Sequence, residues 1–390
     1  MTTENRWLLP EGIEELLPER ASQLEALRRR LLDQCGTWGY RYVIPPLVEF
    51  TDSLLIGLGA DLDVVTCKFT DQMSGRMLGV RADITPQAAR MDAHSLAENG
   101  VTRLCYAGST LQSTPQSVIG GRAPIQLGAE LFGCDAIEAD SEIISLMLST
   151  FACAGVSRAL TLDIGHIGIY DALFSNANLD PEIESQMFDA LQRKSTPDIE
   201  RLSSSLPDDV SQRLRQLASL HGSPEVLLEA RTLFCNEPVV LAALDDLDTV
   251  LAQAQQAFPD VGVYVDLTEL RGFRYHTGLV FAVYLEGRGS AVAKGGRYDN
   301  IGAVFGRDRP ATGFAIDLKA LVDDMTPVES SRPPIIAPPS DAPDLRVAIA
   351  GLRAKGRTVV VDLAPGLTLP GAERLVLNNG EWIIETEATS

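Results

Sequence analysis

Basic residues are scarce in this chain of 390 residues: 33 Lys and Arg stand against 53 Asp and Glu, a formal net charge of −20. Such a surface repels a phosphate backbone unless a local basic stripe overrides it. No block of Lys or Arg supplies one. The densest run, Arg28 to Arg30, sits where Leu24, Leu27 and Leu31 recur at helical spacing, so it reads as the solvated face of an amphipathic helix. Nucleic acid is therefore not an expected partner. Long apolar runs are also missing. No window approaches about 18 uninterrupted apolar residues, and the opening M-T-T-E-N-R-W-L-L-P has no apolar signal core. The expectation is a soluble cytoplasmic protein with no membrane span. The six cysteines, Cys35, Cys67, Cys105, Cys134, Cys153 and Cys235, follow no C-x-x-C spacing, and several lie in apolar patterns. Reduced core thiols fit that usage. Histidine numbers only four, and His94, His166 and His221 have no carboxylate or second histidine at ligand spacing. Hydrogen-bonded structural roles are expected for them, and no metal. The stretch K-G-G-R-Y-D, Lys294 to Asp299, lacks G-K-[ST], so it is not a phosphate loop and reads as tight turns.

What is present is enough apolar residue, 45% against 22% charged, to bury a large core. The spacing predicts a helix from about Pro18 to Cys35, stopped by Gly36 and Gly39, and then a short strand broken by Pro45-Pro46. Edge strands ending at prolines often meet another subunit. A hairpin is predicted around Gln72-Met73-Ser74, a helix start at Thr85-Pro86, a helix from Glu138 to Ala154 and a strand at Leu160 to Ile164. From about 179 to 258 the pattern is helical and polar, punctuated by Pro197, Pro207, Pro224 and Pro238, which suggests an inserted helical subdomain. Two β-branched runs, V-G-V-Y-V-D-L and G-L-V-F-A-V-Y-L, then return the chain to a central sheet. These features predict an α+β main domain over 1–326, a Pro-rich linker over 327–344 and a small C-terminal α/β module over 345–390.

The chemistry centres on Arg103 to Gly133. Leu104, Tyr106 and Gly108 alternate with Cys105 and Ala107, and after a loop Ile125, Leu127, Ala129 and Leu131 alternate with Gln126, Gly128 and Glu130. Two antiparallel strands follow from this. A period of two places Gln126 and Glu130 on one face, with Gly128 between them leaving room for a small polar ligand.

This stretch, with D-I-T at Asp83 to Thr85 and E-L-R-G-F-R-Y-H-T-G at Glu269 to Gly278, resembles the catalytic domain of histidyl-tRNA synthetase. The Gly39 to Leu54 region likewise resembles motif 1 of class II synthetases, which builds their homodimer interface. The resemblance implies a class II aminoacyl-tRNA synthetase-like, mainly antiparallel sheet flanked by helices. It also implies a histidine site formed by Asp83, Thr85, Gln126, Glu130, Arg271, Tyr275 and His276. In the family, groups matching Asp83 and Thr85 hold the amino group, with a glutamine matching Gln126 nearby. The glutamate matching Glu130 and a tyrosine hold the imidazole, and the arginine matching Arg271 lies beside the carboxylate.

The departures are as informative. The family arginine that grips the α-phosphate falls on Gln112, and the motif 3 arginine falls on Ala320, with Lys319 one residue away. An uncharged amide cannot stabilise charge developing on a phosphoryl group. The anticodon-binding domain is missing as well. A synthetase-like fold with its histidine groups kept and its ATP groups lost resembles the regulatory subunits of ATP phosphoribosyltransferase. That implies no catalytic residues, no cofactor and no metal, a short catalytic subunit as partner, histidine as ligand, and a homodimer within a hetero-oligomer. The alternatives are a divergent histidyl-tRNA synthetase or histidine-activating ligase, and a plain scaffold with a vestigial pocket.

Overall fold

A computed structural model describes residues 7–55, 59–115, 121–174, 180–204, 206–270, 275–325, 332–364 and 366–386. They fall into two units, Met1–Thr326 and Pro327–Ser390. The first carries strands β1 (Arg41–Tyr42), β2 (Val48–Phe50), β3 (Cys67–Thr70), β4 (Met77–Val80), β5 (Thr102–Ser109) and β6 (Ile125–Phe132). It continues with β7 (Leu160–His166), β8 (His221–Gly222), β9 (Gly262–Asp266), β10 (Leu279–Leu285), β11 (Ala293–Arg297) and β12 (Ala311–Asp317). One large sheet has the order β1-β5-β6-β12-β11-β10-β7-β9-β8, and β2-β4-β3 form a small one. In the large sheet β1 pairs parallel with β5 and β7 with β9, and the other described pairings are antiparallel. The sheet is therefore mixed and mainly antiparallel, as the strand alternation and the resemblance imply.

Helices α1 (Pro18–Thr37), α2 (Thr51–Leu54), α3 (Gly59–Val65), α4 (Thr85–Arg90), α5 (Ile137–Ala154) and α6 (Ile167–Phe174) precede the helical stretch. Pro18 opens α1, where the missing N–H costs nothing, and Gly39 at φ 82° turns the chain back after it. The stripe Leu24, Leu27, Leu31 and Cys35 is buried, and it packs with Ile143, Met147 and Phe151 of α5 against Cys105, Leu127, Ala129 and Leu131 of β5 and β6. Burying each large apolar side chain in that layer contributes about 1.5–3 kcal/mol relative to leaving it in water. Arg28 and Arg29 pair with Glu25 at the surface, but Arg30 turns inward to the Ala154 carbonyl at 3.0 Å, so the basic run is not wholly a solvated face.

The stretch after α6 folds as α7 (Pro181–Gln192), α8 (Thr196–Ser203), α9 (Asp208–Ser219), α10 (Val226–Leu233) and α11 (Pro238–Ala257), interrupted by β8. Prolines in the first turns of α7, α8 and α11 start helices rather than merely separating them. After β12 comes α12 (Leu318–Val322).

Two expectations are corrected. K-G-G-R-Y-D is not a pair of tight turns, because Ala293–Arg297 is the strand β11 between β10 and β12. Its glycines misled because they mark close strand approach: a side chain on Gly295 would overlap the Gly313 carbonyl and the Phe281 ring. Nor is 327–344 wholly a linker. Ile335–Ala337 is the buried strand β13, and in the second unit it lies between β14 (Val359–Val361) and β15 (Glu373–Asn378), with β16 (Glu381–Thr386) beyond. The prolines before and after it bound the strand, and Pro343 opens α13 (Pro343–Ala354). Residues 326–331 lie outside the described ones. Asn379 at φ 49° and Gly380 at φ 86° make the two-residue turn of the β15–β16 hairpin.

Candidate functional site

The pairing of β5, β6, β12 and β11 fixes which residues share the face opposite α1 and α5. Across β5 and β6, Leu104 faces Glu130, Tyr106 faces Gly128 and Gly108 faces Gln126. Glu130 in turn faces Gly313, and Gly313 faces Gly296. A small second core of Ile84, Ala88, Ala89, Leu104, Tyr106 and Tyr298 closes over this face.

Glu130 is its centre and is 1% exposed. Tyr106 donates its hydroxyl to Oε1 at 2.8 Å, and Tyr298 donates to Oε2. Burial drives the carboxyl up to about 8, against the pull of the tyrosine hydroxyls and of Thr85, with the nearby Asp83 charge adding to the rise. Burial together with Glu130 pushes the Tyr106, Tyr275 and Tyr298 hydroxyls well above their ordinary value. Tyr275 stacks on Tyr298, ring centroids 5.1 Å apart, and its buried hydroxyl has no hydrogen-bond partner among the described residues. His276 meets the Tyr275 ring edge-on at 5.1 Å and lies over Gly296, with Nδ1 3.2 Å from the Arg297 carbonyl. Burial lowers its pKa to about 4, so the ring is neutral at physiological pH.

The other end of the site is a polar arm. Asp83 Oδ1 accepts from Gln126 Nε2 and from the Thr85 amide, each at 2.9 Å, while Gln126 Oε1 accepts from the Ile84 amide at 2.9 Å. The Thr85 hydroxyl lies 3.0 Å from that of Tyr106, which joins the two ends. Pro86 starts α4 here, so the D-I-T segment is held both by a helix start and by β6.

The structure thus brings together Asp83, Thr85, Gln126, Glu130, Tyr275 and His276, while Arg271 lies outside the described residues. The room expected above Gly128 is not empty. The Tyr106 hydroxyl occupies it, and a side chain at Gly128 would overlap that group. Tyr106 and Tyr298 were not among the sequence candidates. The alternation that put Tyr106 in phase with Leu104 and Gly108 was a usable signal for the first, whereas Tyr298 lies inside the segment misread as turns.

Gln112 is buried, with Nε2 3.4 Å from the Ala82 carbonyl, and Ala320 packs against the main core. Lys319 is drawn to Glu14, 3.4 Å away. The β5–β6 loop does hold a cation, Arg122, which donates to the main-chain carbonyls of Gln112 at 2.9 Å and Glu11 at 3.4 Å. On the opposite side of the sheet a polar cavity of about 230 Å³ is lined by Asp140, His166, Asp246 and Arg297. His166 Nδ1 there accepts from the Gly168 amide at 3.1 Å, and Arg297 is already bonded to Asp140. No helix among the described residues is long and apolar enough to cross a membrane.

Comparison with known proteins agrees with the mixed, mainly antiparallel fold. Residues 12–321 match the family described as histidyl-tRNA synthetase, and residues 332–385 match the ATP phosphoribosyltransferase subunit HisZ C-terminal domain. A curated relative from Marinobacter nauticus, named ATP phosphoribosyltransferase regulatory subunit, is 48% identical over 395 residues and covers 100% of both chains. Among solved structures, an ATP phosphoribosyltransferase regulatory subunit/histidyl-tRNA synthetase from Bacillus halodurans superposes with a TM-score of 0.82 at 27% identity, covering 95% of this chain and 96% of that one. A chain of the ATP phosphoribosyl transferase complex from Thermotoga maritima, 20% identical, shares the fold with a TM-score of 0.58 over 75% of this chain and 96% of its own.

Proposed function

We propose that this chain, which belongs to the family of ATP phosphoribosyltransferase regulatory subunits, works with a short catalytic subunit in the first step of histidine biosynthesis and reports histidine to that partner without chemistry of its own. The observation that carries the ligand assignment is Glu130, a buried carboxyl set between two tyrosine hydroxyls, with a third, that of Tyr275, left for an incoming acceptor. An imidazole, with one N–H and one bare nitrogen, meets both requirements. Asp83, Thr85 and Gln126 suit an ammonium group, and the forked guanidinium of Arg271 suits a carboxylate.

Catalytic silence is supported by Gln112 and Ala320, which carry no charge, and by Lys319 and Arg122, whose described contacts hold them to Glu14 and to main-chain carbonyls. Self-association is supported by exposed Tyr42, Ile44 and Leu47 around the edge strand β1. The expected place of action is the cytoplasm.

Titration calorimetry with free histidine tests the pocket. Glu130→Ala and Arg271→Ala should each weaken binding tenfold or more, about 1.4 kcal/mol. Wild-type affinity in both rejects it. Mixing the chain with the short catalytic subunit tests the partnership, with size-exclusion chromatography and phosphoribosyl-ATP formation as readouts. A histidine coupling of about 1–3 kcal/mol alters partner activity roughly 5- to 150-fold. Histidine-dependent exchange of pyrophosphate into ATP by this chain alone would instead favour the ligase reading.

A further inference from the structure

Helix α7 ends at Gln192, and two residues later Lys194 adopts a left-handed conformation, φ 53°. It closes the helix there: the Lys194 amide bonds the Leu191 carbonyl and the Ser195 amide bonds the Ala190 carbonyl, each at 3.0 Å, before α8 begins at Thr196. This is the position that glycine occupies without steric cost and that a side chain makes less favourable. A lysine there is explained by where its side chain goes. Nζ reaches out of the helical insertion to Asp266 Oδ1 at 2.5 Å and to the Thr268 hydroxyl. The same carboxylate oxygen accepts the Thr268 amide at 2.9 Å and the Thr268 hydroxyl at 2.7 Å, so one ammonium and one carboxylate, itself 9% exposed, lock the turn D-L-T-E-L at the end of β9. That turn packs on β7 so closely that a side chain at Gly165 would overlap the Asp266 carbonyl. Leu267 and Leu270 are buried beneath it, and the next residue along the chain is Arg271.

We infer that Lys194 is a positioning residue: it ties the helical insertion to the turn 266–270, which Arg271 follows directly in the chain, and so sets histidine affinity from outside the pocket. The inference rests on the proposed histidine site. A displacement of α7 and α8, as by a partner docking on the insertion, would be transmitted through this contact to that turn. Lys194→Gly removes the ammonium and at the same time relaxes the left-handed backbone, so the insertion keeps its helix end. Lys194→Arg keeps a cation of similar reach.

The test is histidine titration on the full chain carrying Lys194→Gly, Lys194→Arg, Arg271→Ala or the pair Lys194→Gly with Arg271→Ala. Hydrogen–deuterium exchange of 262–278 is measured in parallel. Expected are about a tenfold loss of affinity in Lys194→Gly, near wild-type affinity in Lys194→Arg, faster exchange of the turn, and no further loss on adding Lys194→Gly to Arg271→Ala. Wild-type affinity in Lys194→Gly, or a loss that adds in full to that of Arg271→Ala, overturns the inference while leaving the pocket standing. If Glu130→Ala and Arg271→Ala also bind like wild type, the pocket itself falls and the inference with it.

Discussion

Replacing Glu130 by glutamine should remove one component of the pH dependence of stability, a loss that develops as pH rises from about 4.5 to 8. The buried carboxyl holds its proton up to about 8, whereas in the unfolded chain it ionises at its ordinary value of 4.5. Below pH 4.5 both states are protonated, and no difference arises. Between 4.5 and about 8 the unfolded chain releases a proton that the folded chain keeps, so the folded state loses stability as pH rises. Above about 8 the deficit stays constant. Each pH step is worth up to about 1.4 kcal/mol, so the total approaches roughly 5 kcal/mol. Glutamine is a fair stand-in for the protonated acid. Its amide can accept from one tyrosine and donate to the other, and the Tyr106 hydroxyl, 3.0 Å from that of Thr85, can turn to donate there instead. The assay is urea unfolding of both proteins at pH 5, 6, 7 and 8 without histidine. Stability should fall more steeply with pH in wild type than in Glu130→Gln, the gap widening up to about pH 8. Parallel curves would show that Glu130 is ionised in the folded chain and would refute the burial argument.

Three further outcomes follow from the packing. Gly313→Ala puts a methyl group into Glu130 Oε2, and should weaken histidine binding more than tenfold and cost about 1–3 kcal/mol in thermal unfolding; unchanged affinity would mean the ligand does not depend on the Glu130 geometry. Asp92→Asn strips the carboxylate from Arg309, a pair with side chains 2% and 9% exposed and contacts of 2.8 and 2.9 Å, and should cost about 3–5 kcal/mol in denaturant titration. Gly351→Ala, in the interior of α13 with open space at the new methyl, should stabilise the C-terminal unit by about 0.5–1 kcal/mol, seen as slower hydrogen exchange across that helix.

Periodicity determined a good deal before any coordinates. The period of two fixed Gln126, Gly128 and Glu130 on one face, and the helical spacing fixed the inward stripe of α1, because alternation and turn angle are local properties of the backbone. The D-I-T helix start and the hairpin around Gln72-Met73-Ser74 were legible for the same reason, each being set by its own few residues. Tertiary structure alone decided what stands above that face. The Tyr106 hydroxyl fills the space over Gly128 from the neighbouring strand, and Tyr298 arrives on Glu130 from 168 residues away. Gly295 and Gly296 belong to a central strand because their neighbours approach too closely for a side chain, a fact that no window of sequence around K-G-G-R-Y-D contains. Burial is likewise a property of the assembled layers. The same glutamate in the same strand pattern could have been an ordinary surface acid. It becomes a carboxyl held near 8 only when α4, β5, β11 and β12 have closed around it and excluded the water that would otherwise stabilise its charge.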